Sequence, residues 1–256
     1  MSERKQILIE SEDAFKTFVK AYGGSYTTRS LDRTIERCDV RGPFEVRKRI
    51  GIRLYDQTIG FENTEFHDRI EFDSRKNSKV IFDGCVFHRY MSFDKIQVEF
   101  SNCKFDFSGE DYLKHISFYY GSHATMRDCE FIGLQTDFEP SYQLNSGSIH
   151  CHTPTKLNFV NCRFQNCKHI LDLNENEDNV LFEQCVFEKS SFFTSDEKTD
   201  VKNTRVRVNH CTFEESELTV LKVKEDCCLG WTGEDVYETS ATFIVDMHSL
   251  PLIGSE

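Results

Sequence analysis

The stretch Leu157-Asn158-Phe159-Val160-Asn161-Cys162-Arg163-Phe164 decides the fold. Leu157 and Phe159 alternate with polar neighbours, which is the period of a strand that buries one face. The alternation then slips by one residue, and Cys162 and Phe164 resume it. Asn161 stands at the slip, and Asn tolerates left-handed backbone better than most residues. The stretch therefore predicts two short strands, both facing inward, joined by a tight bend.

The same phrase recurs along the chain. It reads Gly84-Cys85-Val86-Phe87, Asn102-Cys103-Lys104-Phe105, Asp128-Cys129-Glu130-Phe131, Gln184-Cys185-Val186-Phe187 and His210-Cys211-Thr212-Phe213, and weakens upstream to Thr64-Glu65-Phe66 and Cys38-Asp39-Val40. An apolar residue precedes each terminal Phe or Val by five positions: Ile35, Phe61, Phe82, Phe100, Met126, Phe159, Phe182 and Val208. Successive phrases lie 18 to 33 residues apart. A fixed coil carrying loops of unequal length gives that spacing. Stacked coils align like residues into a column of Cys and a column of Phe, with rungs about 4.8 Å apart. Helix-period patterns are missing from these segments, so a helical solenoid is excluded.

The stacked Asn-Cys-x-Phe corners resemble the right-handed parallel β-helix repeats of the pectate-lyase-like superfamily, over about residues 34–223. The five-residue spacing of small-x-Phe also resembles pentapeptide-repeat proteins, more weakly. The first resemblance implies an all-β, right-handed parallel β-helix solenoid of about eight coils. In that superfamily elongated saccharides lie in a groove along one sheet. The clustered Asn-Thr-Asp, Asp-Asp, Gly-His-Gly and Arg-x-Lys motifs of its pectin hydrolases are missing from this chain. Some pentapeptide-repeat proteins mimic DNA, which makes a polyanion mimic a third expectation.

An open coil end exposes unpaired strand edges and needs a cap. Residues 11–22 read as an amphipathic helix with Ser11 as N-cap, Ala14, Phe15, Phe18 and Val19 as its apolar face, and Gly23-Gly24 as its stop. The division expected is an N-terminal strand and capping helix over 1–33, the β-helix over 34–224 and an irregular C-terminal cap over 225–256.

Composition sets outer limits. The chain has 256 residues, 23 Phe, 11 Cys and a formal net charge of −12. That charge argues against direct nucleic-acid binding, which needs a basic footprint. No apolar run reaches the ~20 residues of a membrane span, and the N-terminus shows no secretory signal pattern. The cysteines, odd in number, are expected as thiols in a reducing, cytoplasmic setting. The first functional expectation is a non-catalytic protein presenting an acidic surface to a protein or other macromolecule. Carbohydrate binding or carbohydrate chemistry is the alternative.

A third strand follows each corner, at 91–94, 115–120, 148–152, 169–174, 191–195 and 218–223. If Met91/Phe93, Ile116/Phe118, Ile149/Cys151 and Leu171/Leu173 face inward, their neighbours form an outward column. That column places Tyr119, His150, His152, Asp172, Asn174 and Thr194 in a groove, with Glu139 and Tyr142 on a long loop beside it. His150 and Asp172 are the candidates for proton transfer. The competing reading is a solvated β face, since alternation puts polar residues outward on any such strand. His150 and His152 with Asp172 also form a possible metal set, but a fourth ligand is missing and no metal or other cofactor is expected. The run 172–179 is acidic enough for calcium, yet reads as a solvated loop. Cys227-Cys228 lies off the repeat and reads as packing in the cap.

Overall fold

The computed structural model describes residues 5–24, 27–109, 115–134, 149–151, 155–168, 170–173, 179–191, 205–214, 216–220, 228–231 and 242–245; at 172, 173, 179, 205–209, 217–220, 228–231 and 242–245 it describes the backbone alone. Within these residues the chain winds into a parallel β-helix with three faces. The first face stacks Lys79–Asp83, Gln97–Ser101, His123–Arg127, Lys156–Val160, Asn179–Glu183 and Arg205–Asn209 in parallel register. The second stacks Val86–Phe87, Lys104–Asp106, Glu130–Ile132, Arg163–Gln165, Val186–Glu188 and Thr212–Glu214. Ile35–Val46 and Thr58–Phe66 are long enough to run through the bend and serve both faces. The third face stacks Ile50–Leu54, Ile70–Ser74, Met91–Asp94, Ile116–Tyr119, Ile149–Cys151 and Leu171–Leu173.

The bend between the first two faces is where the alternation slips. From the Thr58–Phe66 coil onward its corner residues hold left-handed backbone: Asn63 (φ 50), Gly84 (φ 60), Asn102 (φ 52), Asp128 (φ 54), Asn161 (φ 53), Gln184 (φ 54) and His210 (φ 51). At Gly84 a side chain would be doubly opposed, because a Cβ would lie 2.7 Å from Asn63 Oδ1. Past the bend, Phe66, Phe87, Phe105, Phe131, Phe164, Phe187 and Phe213 stack ring on ring with centroids 4.4 to 5.2 Å apart. Rings of the first face meet this column edge-on, as Phe82 meets Phe87 at 88° and Phe159 meets Phe164 at 64°. Stacked and edge-to-face pairs satisfy the ring quadrupoles while filling the bore.

The cysteines have a polar task as well as a packing one. Cys85 Sγ donates to Phe61 O (3.4 Å), Cys103 to Phe82 O (3.5 Å), Cys162 to Met126 O (3.4 Å) and Cys185 to Phe159 O (3.5 Å), each bridging to the coil before. At the next corner Ser190 Oγ and Ser216 Oγ make the same bridge to Phe164 O (3.3 Å) and Phe187 O (3.0 Å). The nine cysteines whose side chains are described are buried thiols, not disulfides. Burial pushes the Cys38 thiol up to about 11 and Cys167 up to about 12, so they stay protonated and unreactive.

The sequence pattern misplaces the first rung. Cys38-Asp39-Val40 sits on the first face, opposite Ile59-Gly60-Phe61, not in the Cys–Phe ladder. The bend of that coil comes later, around Gly42-Pro43, so Phe44 and Val46 take the positions of Thr64 and Phe66. The period-two rule is satisfied either way, and only the bend distinguishes the two registers. Lys5–Ile9 adds a further rung on Ile35–Val46. The cap helix Glu12–Tyr22 starts at Ser11, whose side chain accepts from Ala14 N–H. It buries Phe15 against Phe44 (4.1 Å, stacked) and Phe18 against Phe61, whereas Ala14 is exposed. At the other end Glu217–Val220 pairs with Thr242–Val245.

Candidate functional site on the third face

Register fixes which side chains leave the third face together. Ile50, Ile52, Ile70, Phe72, Met91, Phe93, Ile116, Phe118, Ile149, Cys151 and Leu171 point into the bore and are buried. Two outward columns alternate with them. One reads Gly51, Glu71, Ser92, Ser117, His150; the other reads Arg53, Asp73, Asp94, Tyr119. The first coils of these columns close on themselves. Arg53 Nε donates to Asp73 Oδ2 at 2.6 Å, and Arg49 donates to Glu71 Oε2 at 2.5 Å.

The middle coils are built differently. The residue just before each strand swings its side chain over the face: Tyr90 before Met91–Asp94 and His115 before Ile116–Tyr119. Their rings lie 4.4 Å apart, and His115 meets His150 edge-on at 5.5 Å. Burial raises the pKa of the Tyr90 hydroxyl to about 12, with Ser92, Ser117 and Tyr119 close enough to act on it electrostatically. Under this layer Ser117 is 1% exposed and His150 9% exposed. Ser117 and His150 are thus not solvated, while Ser92, Asp94 and Tyr119 are half-buried.

Two polar atoms of this layer have unspent hydrogen-bonding capacity. Asp94 Oδ1 and His115 Nδ1 are shielded from water and make no hydrogen bond among the described residues. Burial holds His115 neutral, with its pKa down to about 3, and the neighbouring His150 adds to that. Burial raises the Asp94 carboxyl above the ordinary carboxylate value, and Asp73 one rung away pushes the same way against Lys95. Beside them Tyr120 is 62% exposed, with Lys95 Nζ 5.1 Å from its ring centroid and the Tyr119 ring at 6.2 Å.

Of the residues the sequence nominated, the structure brings Tyr119 and His150 to this face and pairs the backbone of Asp172 with His150. Thr194, His152, Asn174, Glu139 and Tyr142 lie outside the described residues. Cys151 points into the bore, which removes it from any outward ligand set. The sequence reading passed over Tyr90, His115, Asp73 and Arg53. A signal for the first two was present: each is an aromatic residue one position before an outward-alternating strand, where its side chain can fold back over the face.

A family model of a right-handed β-helix region matches residues 23–216. The chain belongs to that family. The match begins at Gly23, directly after the cap helix, and ends at Ser216, just before the separate two-stranded pair. The right-handed β-helix therefore comprises the three faces and the site just described. No curated protein matches the chain. No helix among the described residues is long and apolar enough to cross a membrane.

Proposed function

We propose that this right-handed β-helix binds a saccharide along the middle coils of its third face, with Asp94 at the centre. The observation that carries the reading is Asp94, whose Oδ1 makes no hydrogen bond among the described residues, next in the chain to Lys95, which faces the exposed Tyr120 ring. A sugar offers hydroxyl donors on its edge and C–H surface on its face, and this pair answers both: an acceptor with capacity to spare and an aromatic plane. Tyr119, one rung from Asp94 and 6.2 Å from the Tyr120 ring, adds a phenol hydroxyl. The acidic composition favours a different partner less than it first does. On the described faces the carboxylates interleave with bases, as in Arg37–Asp39 (2.7 Å), Lys79–Glu99 (2.7 Å) and Arg53–Asp73, which is not the single-sign stripe that a polyanion mimic needs.

The test is glycan-array screening of the full chain followed by calorimetry on any hit. Binding that falls at least about tenfold in Asp94→Asn and in Tyr120→Ala, without loss of melting temperature, supports the reading; each lost contact of about 1.4 kcal/mol gives that factor. Absence of any glycan hit, or a hit indifferent to both variants, overturns it. A second reading, hydrolysis of the bound saccharide, is favoured by one observation. Asp73 is paired with Arg53 while its neighbour Asp94 is pushed toward the protonated form, the split that an acid and a carboxylate partner require. Product analysis of the bound glycan by mass spectrometry decides between binding alone and cleavage.

A further inference from the structure

A second cluster lies on the second face, away from the Asp94 site. The strands there flank each inward Phe with two outward residues, so Glu65 and His67 share a face around Phe66, and Val86 and His88 share it around Phe87 one rung on. The two imidazoles stack in parallel, centroids 5.0 Å apart and planes 9° apart. Both turn Nε2 toward one carboxylate oxygen. His88 Nε2 lies 2.8 Å and His67 Nε2 3.4 Å from Glu65 Oε1. Glu45, one rung before Glu65, places Oε2 4.0 Å from His67 Nε2 and is itself held by Arg47 at 2.6 Å.

We propose that Glu65, His67 and His88 bind a divalent transition-metal ion of the zinc type. The three ligand atoms lie within 4.8 Å of one another. Two imidazole nitrogens and a carboxylate oxygen are the donor set of many three-ligand zinc sites, which leave a fourth position for water or substrate. Tetrahedral zinc with bonds of about 2.0–2.1 Å needs donor separations of about 3.3 Å, and the His67–Glu65 distance is already 3.4 Å. The neutral alternative is a His88–Glu65 hydrogen bond with a ring packed on it. That alternative does not account for His67 Nε2, which is shielded from water and makes no hydrogen bond among the described residues. A metal ion supplies its partner. Glu65 and Glu45 also line a cleft of about 600 Å³ between the cap helix and this face, with Glu12 on the far wall. An ion held by Glu65 would lie at the rim of that cleft.

The experiment is calorimetric titration of zinc chloride into the full chain at neutral pH, with cobalt(II) as a spectroscopic stand-in. The expected result is one zinc per chain, bound at about micromolar Kd or tighter and weakened at least about a hundredfold in His67→Ala/His88→Ala. Cobalt should give visible ligand-field bands without sulfur-to-cobalt charge transfer. No zinc uptake up to about 1 mM overturns the proposal, as does uptake that survives the double variant. A charge-transfer band also overturns it, because it would place the ion on cysteine. The imidazoles are 28% and 31% exposed, so circular dichroism should show the double variant folded. Should it not fold, Glu65→Gln removes the shared oxyanion and must weaken zinc by a similar factor.

Discussion

The third face carries two solutions to one problem. In its first coils, Arg49–Glu71 and Arg53–Asp73 neutralise the outward column within itself. In its middle coils the same column positions hold Ser92, Asp94, Ser117, Tyr119 and His150, roofed by Tyr90 and His115, with Asp94 Oδ1 and His115 Nδ1 making no hydrogen bond among the described residues. The backbone register is common to both, and so is the bore beneath. The difference teaches that the repeat dictates the inside of each coil and leaves the outside free to differ from coil to coil. A paired outer face has its charges balanced. An outer face with buried, unspent acceptors is one that a ligand can complete.

If the bore is common, equal damage to it should cost the same under both halves. Phe72 and Phe93 stack at 6.0 Å, one under each half, and both are fully buried. Phe72→Ala and Phe93→Ala should each lower stability by about 3–5 kcal/mol, measured by urea unfolding. A neutral Phe93→Ala would mean that the middle coils are held by their roof rather than by the bore, and the comparison would fail at its base.

The roof should add a pH dependence that the ion-paired coils lack. His115 titrates near 6.5 when unfolded but only at about 3 when folded. Between those values the unfolded chain binds the extra proton. The His115 contribution is therefore complete above pH 6.5 and is lost as pH falls toward 3, at up to about 1.4 kcal/mol per pH unit. Melting temperature followed from pH 7 to pH 5 should fall more steeply in the wild type than in His115→Phe. His123 is also depressed, by burial and Lys156, and stays in both chains, so the difference between the two curves isolates His115. Parallel curves would mean that His115 takes its proton without leaving the fold.

How much of this the amino-acid sequence discloses follows from the same division. The bore is periodic, and periodicity is visible: the Cys and Phe columns, the left-handed Asn, Asp and Gly corners and the cap helix all follow from residue spacing. The repeat pattern puts Cys38 on the wrong rung because period two cannot tell one face from the next without a bend residue. The outer face follows no period. Ser92/Asp94, Ser117/Tyr119 and His150 could be placed on it by counting, but the burial of Ser117 and His150 could not, since the Tyr90 and His115 rings fold back over them from the preceding loop. The Glu65, His67 and His88 cluster was similarly out of sight. Its three members satisfy the pattern used for His150 and His152, i and i+2 plus one rung, yet His67 and His88 fall one position after the repeated phrase.

The finest test of the comparison uses its two facing carboxylates, Asp73 and Asp94, which occupy the same position in adjacent coils. Asp73 accepts from Arg53 at 2.6 Å, and both side chains keep some contact with solvent, so Asp73→Asn should cost no more than about 1 kcal/mol. Asp94 is held above its ordinary pKa by burial, which means that its charge opposes folding at neutral pH. Its stabilising share is present below the unfolded value of 3.8 and lost as pH rises through the folded one. Asp94→Asn removes the charge and should leave melting temperature unchanged or higher at pH 7 while weakening ligand binding. The two isosteric substitutions thus move stability in opposite directions, in scanning calorimetry on the two variants side by side. A fall in melting temperature for Asp94→Asn matching that of Asp73→Asn would mean that Asp94 has a stabilising partner, and the middle coils would then be charge-balanced like the first.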